Sequence, residues 1–144
     1  MKKGYGVYCA CLVALVYLYS CGAAPTLNVS DKMRITSDVF VSLDTFDGKV
    51  FLMSRTEELY TSTGHTLFTK VTEKGNELIV KYKYVEKCTI CNTALSPAFS
   101  SYELYNVGDK DLLPITFKLR SRTCRGEINE NGIVLDKEGI IRVE

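Results

Sequence analysis

The residues best suited to chemistry in this chain are three cysteines, Cys88, Cys91 and Cys124, together with the only histidine, His65. A C-x-x-C pair acts as a redox centre when a helix N-terminus lowers the thiol pKa, and three cysteines with one histidine can bind zinc. The pair here follows a strand-like run at 79–87 without a βαβ pattern, and the second half of a usual zinc motif is missing. We therefore favour a structural disulfide, which requires an oxidising compartment.

No other catalytic arrangement can be identified in the sequence. A cysteine hydrolase needs a cysteine, a histidine and an orienting third group, and nothing links the Thr-Gly-His-Thr turn around His65 to a cysteine. Serine nucleophile elbows, glycine-rich phosphate loops and clustered metal carboxylates are absent as motifs. We therefore predict no catalytic residue, no metal site and no cofactor.

The N-terminus has the features of an export signal. Lys2 and Lys3 precede a run at 4–30 that contains no charged side chain, and the strongly apolar part of this run spans only 7–19. About a dozen apolar residues match the core of a signal peptide better than the roughly 20 that a membrane-spanning helix needs. We therefore predict a signal peptide at residues 1–20.

The end of this segment, Leu18-Tyr19-Ser20-Cys21, resembles the lipobox of bacterial lipoproteins, in which an aliphatic residue stands three positions before a cysteine and a small residue directly before it. The resemblance implies that Cys21 receives a diacylglycerol and an acyl chain, which attach the protein to a membrane almost permanently. Gly22 in place of aspartate implies the outer membrane of the cell envelope. The alternatives are secretion with cleavage near Ala23 or Ala24, which removes Cys21, and an uncleaved anchor.

Export also bears on the cysteines and on the net charge. An oxidising location favours a disulfide, and we expect one bridge between the Cys88/Cys91 loop and Cys124, with one thiol left over. Such a bridge closes a loop of about 35 residues and stabilises the fold by a few kcal/mol.

From residue 21 onward the chain has 16 basic and 17 acidic residues, a net charge of −1. This balance provides no global field that would attract nucleic acid.

Basic residues recur at every second position on two predicted strands. The first set is Lys81, Lys83 and Lys87, and the second is Lys118, Arg120 and Arg122. Because strand side chains alternate, each set lies on one face. If the two strands were neighbours, the sets would form a basic stripe suited to an acidic protein groove or to an anionic envelope polymer. The alternative is a solvated sheet face whose lysines discourage edge pairing.

Short β-type runs alternate with turn residues after the signal, which predicts an all-β fold. Asp47-Gly48 and Gly75-Asn76 stand between such runs and predict hairpins. Residues 92–105 include a proline and several serines and predict a loop or a single helical turn, whereas 133–135 and 140–143 are expected to pair.

The apolar residues of this region are sufficient for one core. Tyr82 and Tyr84 share a predicted face with Leu78 and Val80 and are expected in that core. We predict one small antiparallel sandwich or barrel at residues 31–144, joined to the lipid by a tether at 21–30.

These features favour a non-enzymatic binding module tethered in the envelope, such as an inhibitor, an immunity factor or an exclusion factor. The expected partners are the membrane, through the N-terminal lipid, and an envelope protein, but no nucleic acid. A structural envelope protein and a thiol-dependent redox enzyme that uses Cys88 or Cys91 are the alternatives. An exposed apolar or basic patch would favour the binding module over the structural protein.

Overall fold

A computed structural model describes residues 31–105, 112–137 and 139–144. The predicted signal, the tether and the lipidation site at Cys21 lie outside these residues. The described chain consists of strands and turns, without a helix. Its ten strands are β1 (Lys32–Met33), β2 (Val39–Phe46), β3 (Lys49–Tyr60), β4 (Thr66–Lys74), β5 (Glu77–Glu86), β6 (Ser96–Leu104), β7 (Leu113–Leu119), β8 (Arg122–Asn129), β9 (Gly132–Leu135) and β10 (Ile141–Val143). Nothing in these ranges forms a helix of the length and apolarity that a membrane crossing needs.

All ten strands belong to one sheet, in the order β10-β2-β3-β6-β4-β5-β7-β8-β9, with β1 paired to the end of β5. Strand β9 approaches β2 and β10, so the sheet curls into a nearly closed barrel. The all-β prediction is confirmed, and of the two predicted forms the barrel is the one observed. The sheet is mixed rather than purely antiparallel, because β10 with β2, β4 with β6, and β5 with β7 run parallel.

Two tight turns confirm the predicted hairpins. Asp47 and Gly48 have φ values of 50° and 73° between β2 and β3, and Gly75 has a φ of 63° between β4 and β5. Positive φ at the turn residues matches the twist of the flanking strands, which is why Asp-Gly and Gly-Asn pairs occupy these positions.

Two expectations about the second half of the chain are wrong. Residues 96–104, part of the segment expected to be a loop or a helical turn, form β6, which lies between β3 and β4. Pro97 is accommodated opposite Leu59, where a register shift between Arg55 and Leu59 interrupts the ladder. The last two strands do not pair with each other, because β9 pairs with β8 and β10 pairs with β2.

The barrel interior is filled by alternate side chains of the long strands. Phe117, Leu52, Leu67 and Tyr82 are all buried there, and the rings of Tyr82 and Phe117 stack with centroids 6.4 Å apart. The Tyr82 hydroxyl and Ser54 Oγ are 2.8 Å apart in a buried hydrogen bond, which satisfies the polar end of the tyrosine. Burial raises the pKa of Tyr82, so the phenol stays protonated.

Candidate functional site

Four lysines converge on the outer surface of three neighbouring strands. Lys81 of β5 lies opposite Lys70 of β4 on one side and opposite Lys118 of β7 on the other. Lys83 follows two positions after Lys81 and is exposed on the same side. We call these four residues, Lys70, Lys81, Lys83 and Lys118, the lysine face. The structure therefore brings the two predicted basic strands together as neighbours.

Local sequence and long-range pairing contribute separately to this arrangement. The two-residue turn Gly75-Asn76 fixes the register of the β4–β5 hairpin and so places Lys70 opposite Lys81. Lys118 reaches the same row through the parallel pairing of β7 with β5, in which Val80 and Lys81 face Phe117 and Lys118. Neighbouring strands are about 4.8 Å apart, so the ammonium groups share one small area.

The lysine face is electrostatically uncompensated within the described chain. None of the salt bridges in the described chain involves its ammonium groups. Those salt bridges join Lys49 to Glu103 and join arginines to carboxylates at other sites. Lys81 is the main cause of a lowered pKa at Lys83, with smaller contributions that include Lys70. Like charges opposite each other in a sheet are destabilising.

Edge protection does not account for Lys81 and Lys118. Strand β5 is flanked by β4 and β7, and β7 is flanked by β5 and β8. Lysines that discourage aggregation belong on strands whose backbone is unpaired on one side. Lys81 and Lys118 lie in the interior of the sheet order, so the edge interpretation of the sequence pattern is wrong for both.

An aromatic pair continues the lysine face toward one end of the barrel. The β4–β5 register shifts between Phe68 and Thr69, because Lys83 is an extra residue between Tyr82 and Tyr84. This bulge turns Tyr84 outward, where its ring stacks on Phe68 at a centroid distance of 4.6 Å. The expectation that Tyr84 belongs to the core is therefore wrong, whereas Tyr82 is buried as expected.

The remaining predicted basic residues lie away from the lysine face or have another role. Arg120 lies in the β7–β8 turn, and its guanidinium donates hydrogen bonds to the carbonyl oxygens of Ile35 and Ser37. Arg122 pairs with Leu119, whose side chain is buried. Arg122 lines a different cleft, which also contains Asp136. Lys87 follows the end of β5.

The cysteines are paired differently from the prediction. Cys88 and Cys91 form the disulfide, with Cα atoms 6.0 Å apart, and Cys124 is a buried free cysteine. Cys124 lies on β8 opposite Phe117, inside the barrel wall, where its Sγ donates to the Lys137 carbonyl oxygen at 3.4 Å. Burial raises the pKa of this thiol, with a smaller contribution from Asp136, so it is a weak nucleophile.

His65 connects the loop that contains the Cys88–Cys91 disulfide to the barrel. Its Nδ1 accepts a hydrogen bond of 3.0 Å from the Cys88 N–H, and its Nε2 lies 3.2 Å from Ser62 Oγ. The imidazole is buried and packs edge-on against Tyr60, with centroids 5.1 Å apart. Because both ring nitrogens are engaged, His65 has a structural role here. Within residues 31–105, 112–137 and 139–144, no group of three or more His, Cys, Asp or Glu side chains could hold a metal ion.

Sequence reasoning missed Lys70, Phe68 and Arg34 as surface residues. Lys70 could have been found from the Gly75-Asn76 turn, since a two-residue hairpin loop places it opposite Lys81. Phe68 and Tyr84 meet only because of the bulge, which no periodicity signal marks.

No protein-family model, curated protein or solved structure matches this chain.

Proposed function

We propose that this protein is a non-enzymatic binding module of the cell envelope that recognises an acidic protein through its lysine face. The observation that carries the proposal is the position of Lys81 in direct register between Lys70 and Lys118. Three ammonium groups in one row repel one another, and carboxylates of a partner would relieve that repulsion. Complementary charge of this kind steers encounter and fixes the register of a complex.

The aromatic neighbours of the lysine face favour a protein as the partner. Phe68 is 41% exposed and stacks on Tyr84, and Phe99 on the adjoining β6 is 47% exposed. Exposed aromatic side chains that adjoin charged residues are typical anchors of protein interfaces. A polymer that carries only charge would gain little from these rings. The net charge of −1 from residue 21 onward argues against nucleic acid.

The envelope location is proposed from the N-terminal sequence. The lipobox-like residues Leu18 to Cys21 follow a short apolar segment and support a lipid anchor at Cys21. The Cys88–Cys91 disulfide is in keeping with an oxidising compartment outside the cytoplasm. A tethered domain would present its lysine face to proteins at the same membrane surface.

Binding to poly-L-glutamate tests the proposal with the full-length protein in detergent. The K81Q/K118Q variant removes two positive charges from the lysine face, and K87Q/K137Q removes two from exposed sites outside it. We expect K81Q/K118Q to weaken binding about three- to thirtyfold, which corresponds to the loss of two surface charge contacts. The control variant should bind nearly as well as the wild type. Equal weakening in both variants would mean that only overall charge matters and would reject the proposed surface.

A further inference from the structure

A groove that adjoins the lysine face opens where the ladder on one side of β5 is interrupted. Strand β7 pairs with β5 as far as Tyr82, and β1 begins to pair with β5 only at Val85. Among the described strands, the bulge residues Lys83 and Tyr84 therefore have no ladder partner on this side. The space next to them is a depression of about 250 Å³.

Cationic side chains dominate the lining of this groove. Arg34, Lys81, Lys83 and Arg120 line it together with Ile35, Tyr82 and Leu119, and no carboxylate is among the described residues that line it. Within the described part of the chain, Arg34, Lys81 and Lys83 form no salt bridge. The groove thus concentrates positive charge without an internal counter-charge.

Arg120 is held in place before any ligand binds. Its Nε donates to the Ile35 carbonyl oxygen at 2.9 Å and its Nη2 donates to the Ser37 carbonyl oxygen at 3.2 Å. The residue also has a positive φ of 57°, a backbone conformation that is unfavourable for side chains other than glycine, asparagine and aspartate. A guanidinium has five N–H donors, so donors remain for a ligand after these two bonds are made. Fixing the donor in advance reduces the entropy lost on binding.

We propose that this groove is a binding site for a phosphate group. A free phosphate or a phosphate monoester carries about −1.5 to −2 charges near neutral pH and at least three strong acceptor oxygens, which matches several converging cations better than a single carboxylate does. Arginine forks bind phosphate oxygens in bidentate geometry, and the groove contributes Arg34 and Arg120. The site goes beyond the proposed function. It shares Lys81 and Lys83 with the lysine face, so it is tested through Arg34, which lies outside that face.

Inorganic phosphate is the first probe, titrated into the full-length protein and compared with chloride at equal ionic strength. Arg34 is exposed, so R34Q should fold normally, which thermal unfolding can verify. We expect R34Q to weaken phosphate binding about tenfold or more, because charge-assisted hydrogen bonds are lost. K118Q removes the same charge from the lysine face but not from the groove lining, and it should change phosphate binding by less than about threefold. Equal losses in both variants, or no binding beyond that of chloride, would overturn the proposal.

A second probe distinguishes free phosphate from a lipid headgroup. Glycerophosphoglycerol carries the phosphodiester of a phospholipid headgroup, and its binding should depend on Arg34 if the natural ligand is a headgroup. Binding of inorganic phosphate alone would indicate a free phosphate. The polyglutamate assay separates this site from the proposed function, because R34Q should retain polyglutamate binding while K81Q/K118Q weakens it. If R34Q and K118Q behave alike with every probe, no separate phosphate site exists.

Discussion

Lys81 and Lys118 lie directly opposite each other on parallel strands that are both internal to the sheet order. Strand pairing brings the two side chains onto one outer face, and Lys70 extends the row on the other side of Lys81. The arrangement places like charges directly opposite each other, which destabilises a sheet. It identifies the lysine face as a surface whose composition is not explained by folding alone.

Neutralising Lys81 should therefore stabilise the isolated protein. In K81Q the repulsion that Lys81 exerts on Lys70, Lys83 and Lys118 is removed, and we expect the thermal midpoint to rise by about 1–4 °C at low ionic strength. The gain should shrink in 1 M salt because exposed charges are screened. Calorimetry at both salt concentrations, with K87Q as the control, measures the effect. A lower midpoint for K81Q at low salt would contradict the repulsion.

Removing the imidazole of His65 should destabilise the fold strongly. H65A leaves the Cys88 N–H without its acceptor and opens a cavity beside Tyr60, so we expect a loss of about 2–4 kcal/mol in the free energy of unfolding. S62A removes only the Nε2 partner and should cost about 1 kcal/mol. Urea titrations of both variants measure these losses. If H65A were as stable as S62A, the anchoring role would be wrong.

The three cysteines that the structure describes, Cys88, Cys91 and Cys124, should react with an alkylating reagent in a fixed order. In the oxidised native protein, iodoacetamide should modify none of them, because Cys88 and Cys91 are bridged and Cys124 is buried with a raised thiol pKa. Mild reduction should release Cys88 and Cys91, and Cys124 should react only after unfolding. Peptide mapping by mass spectrometry identifies each labelled site. A disulfide-linked peptide that contains Cys124 would show that the pairing in solution is different.

Gly126 should tolerate no side chain. It lies opposite Leu135 in the β8–β9 ladder, and a Cβ atom there would overlap the backbone carbonyl oxygen of Val134. We expect G126A to cost about 1–3 kcal/mol, because the two strands must move apart. At Gly139 an added Cβ meets no atom within 4 Å, so G139A is the matched control and should be nearly neutral. Comparable urea midpoints for the two variants would contradict the close approach.

The features predictable from the sequence are those that depend on neighbouring residues. Strand alternation and the turns Asp47-Gly48 and Gly75-Asn76 indicate an all-β chain with two hairpins, and the latter turn also implies the Lys70 and Lys81 pair. Even spacing places Lys81 and Lys83 on one face, and both remain exposed although Lys83 is the extra residue of the bulge.

Long-range pairing was not predictable from the same local rules. No turn links β5 to β7, so the register of Lys81 with Lys118 depends on parallel packing across the whole barrel. Strand β6 likewise lies between β3 and β4 because backbone N–H and C=O groups need hydrogen-bond partners. This requirement has a larger effect on the segment than its serines and Pro97 do. The predicted bridge to Cys124 is wrong because sequence spacing contains no information on which cysteines the fold brings within bonding distance.

Site-specific photo-crosslinking in the native host tests the central claim most directly. A photoreactive amino acid at Thr123, which lies opposite Lys118, would face any protein bound to the lysine face, and one at the exposed Phe46 on β2 serves as the control. We predict one discrete adduct from position 123 with an acidic protein, absent from position 46 and lost when K81E and K118E are introduced together. An adduct that persists in the K81E/K118E protein, or equal adducts from both positions, would contradict recognition through the lysine face.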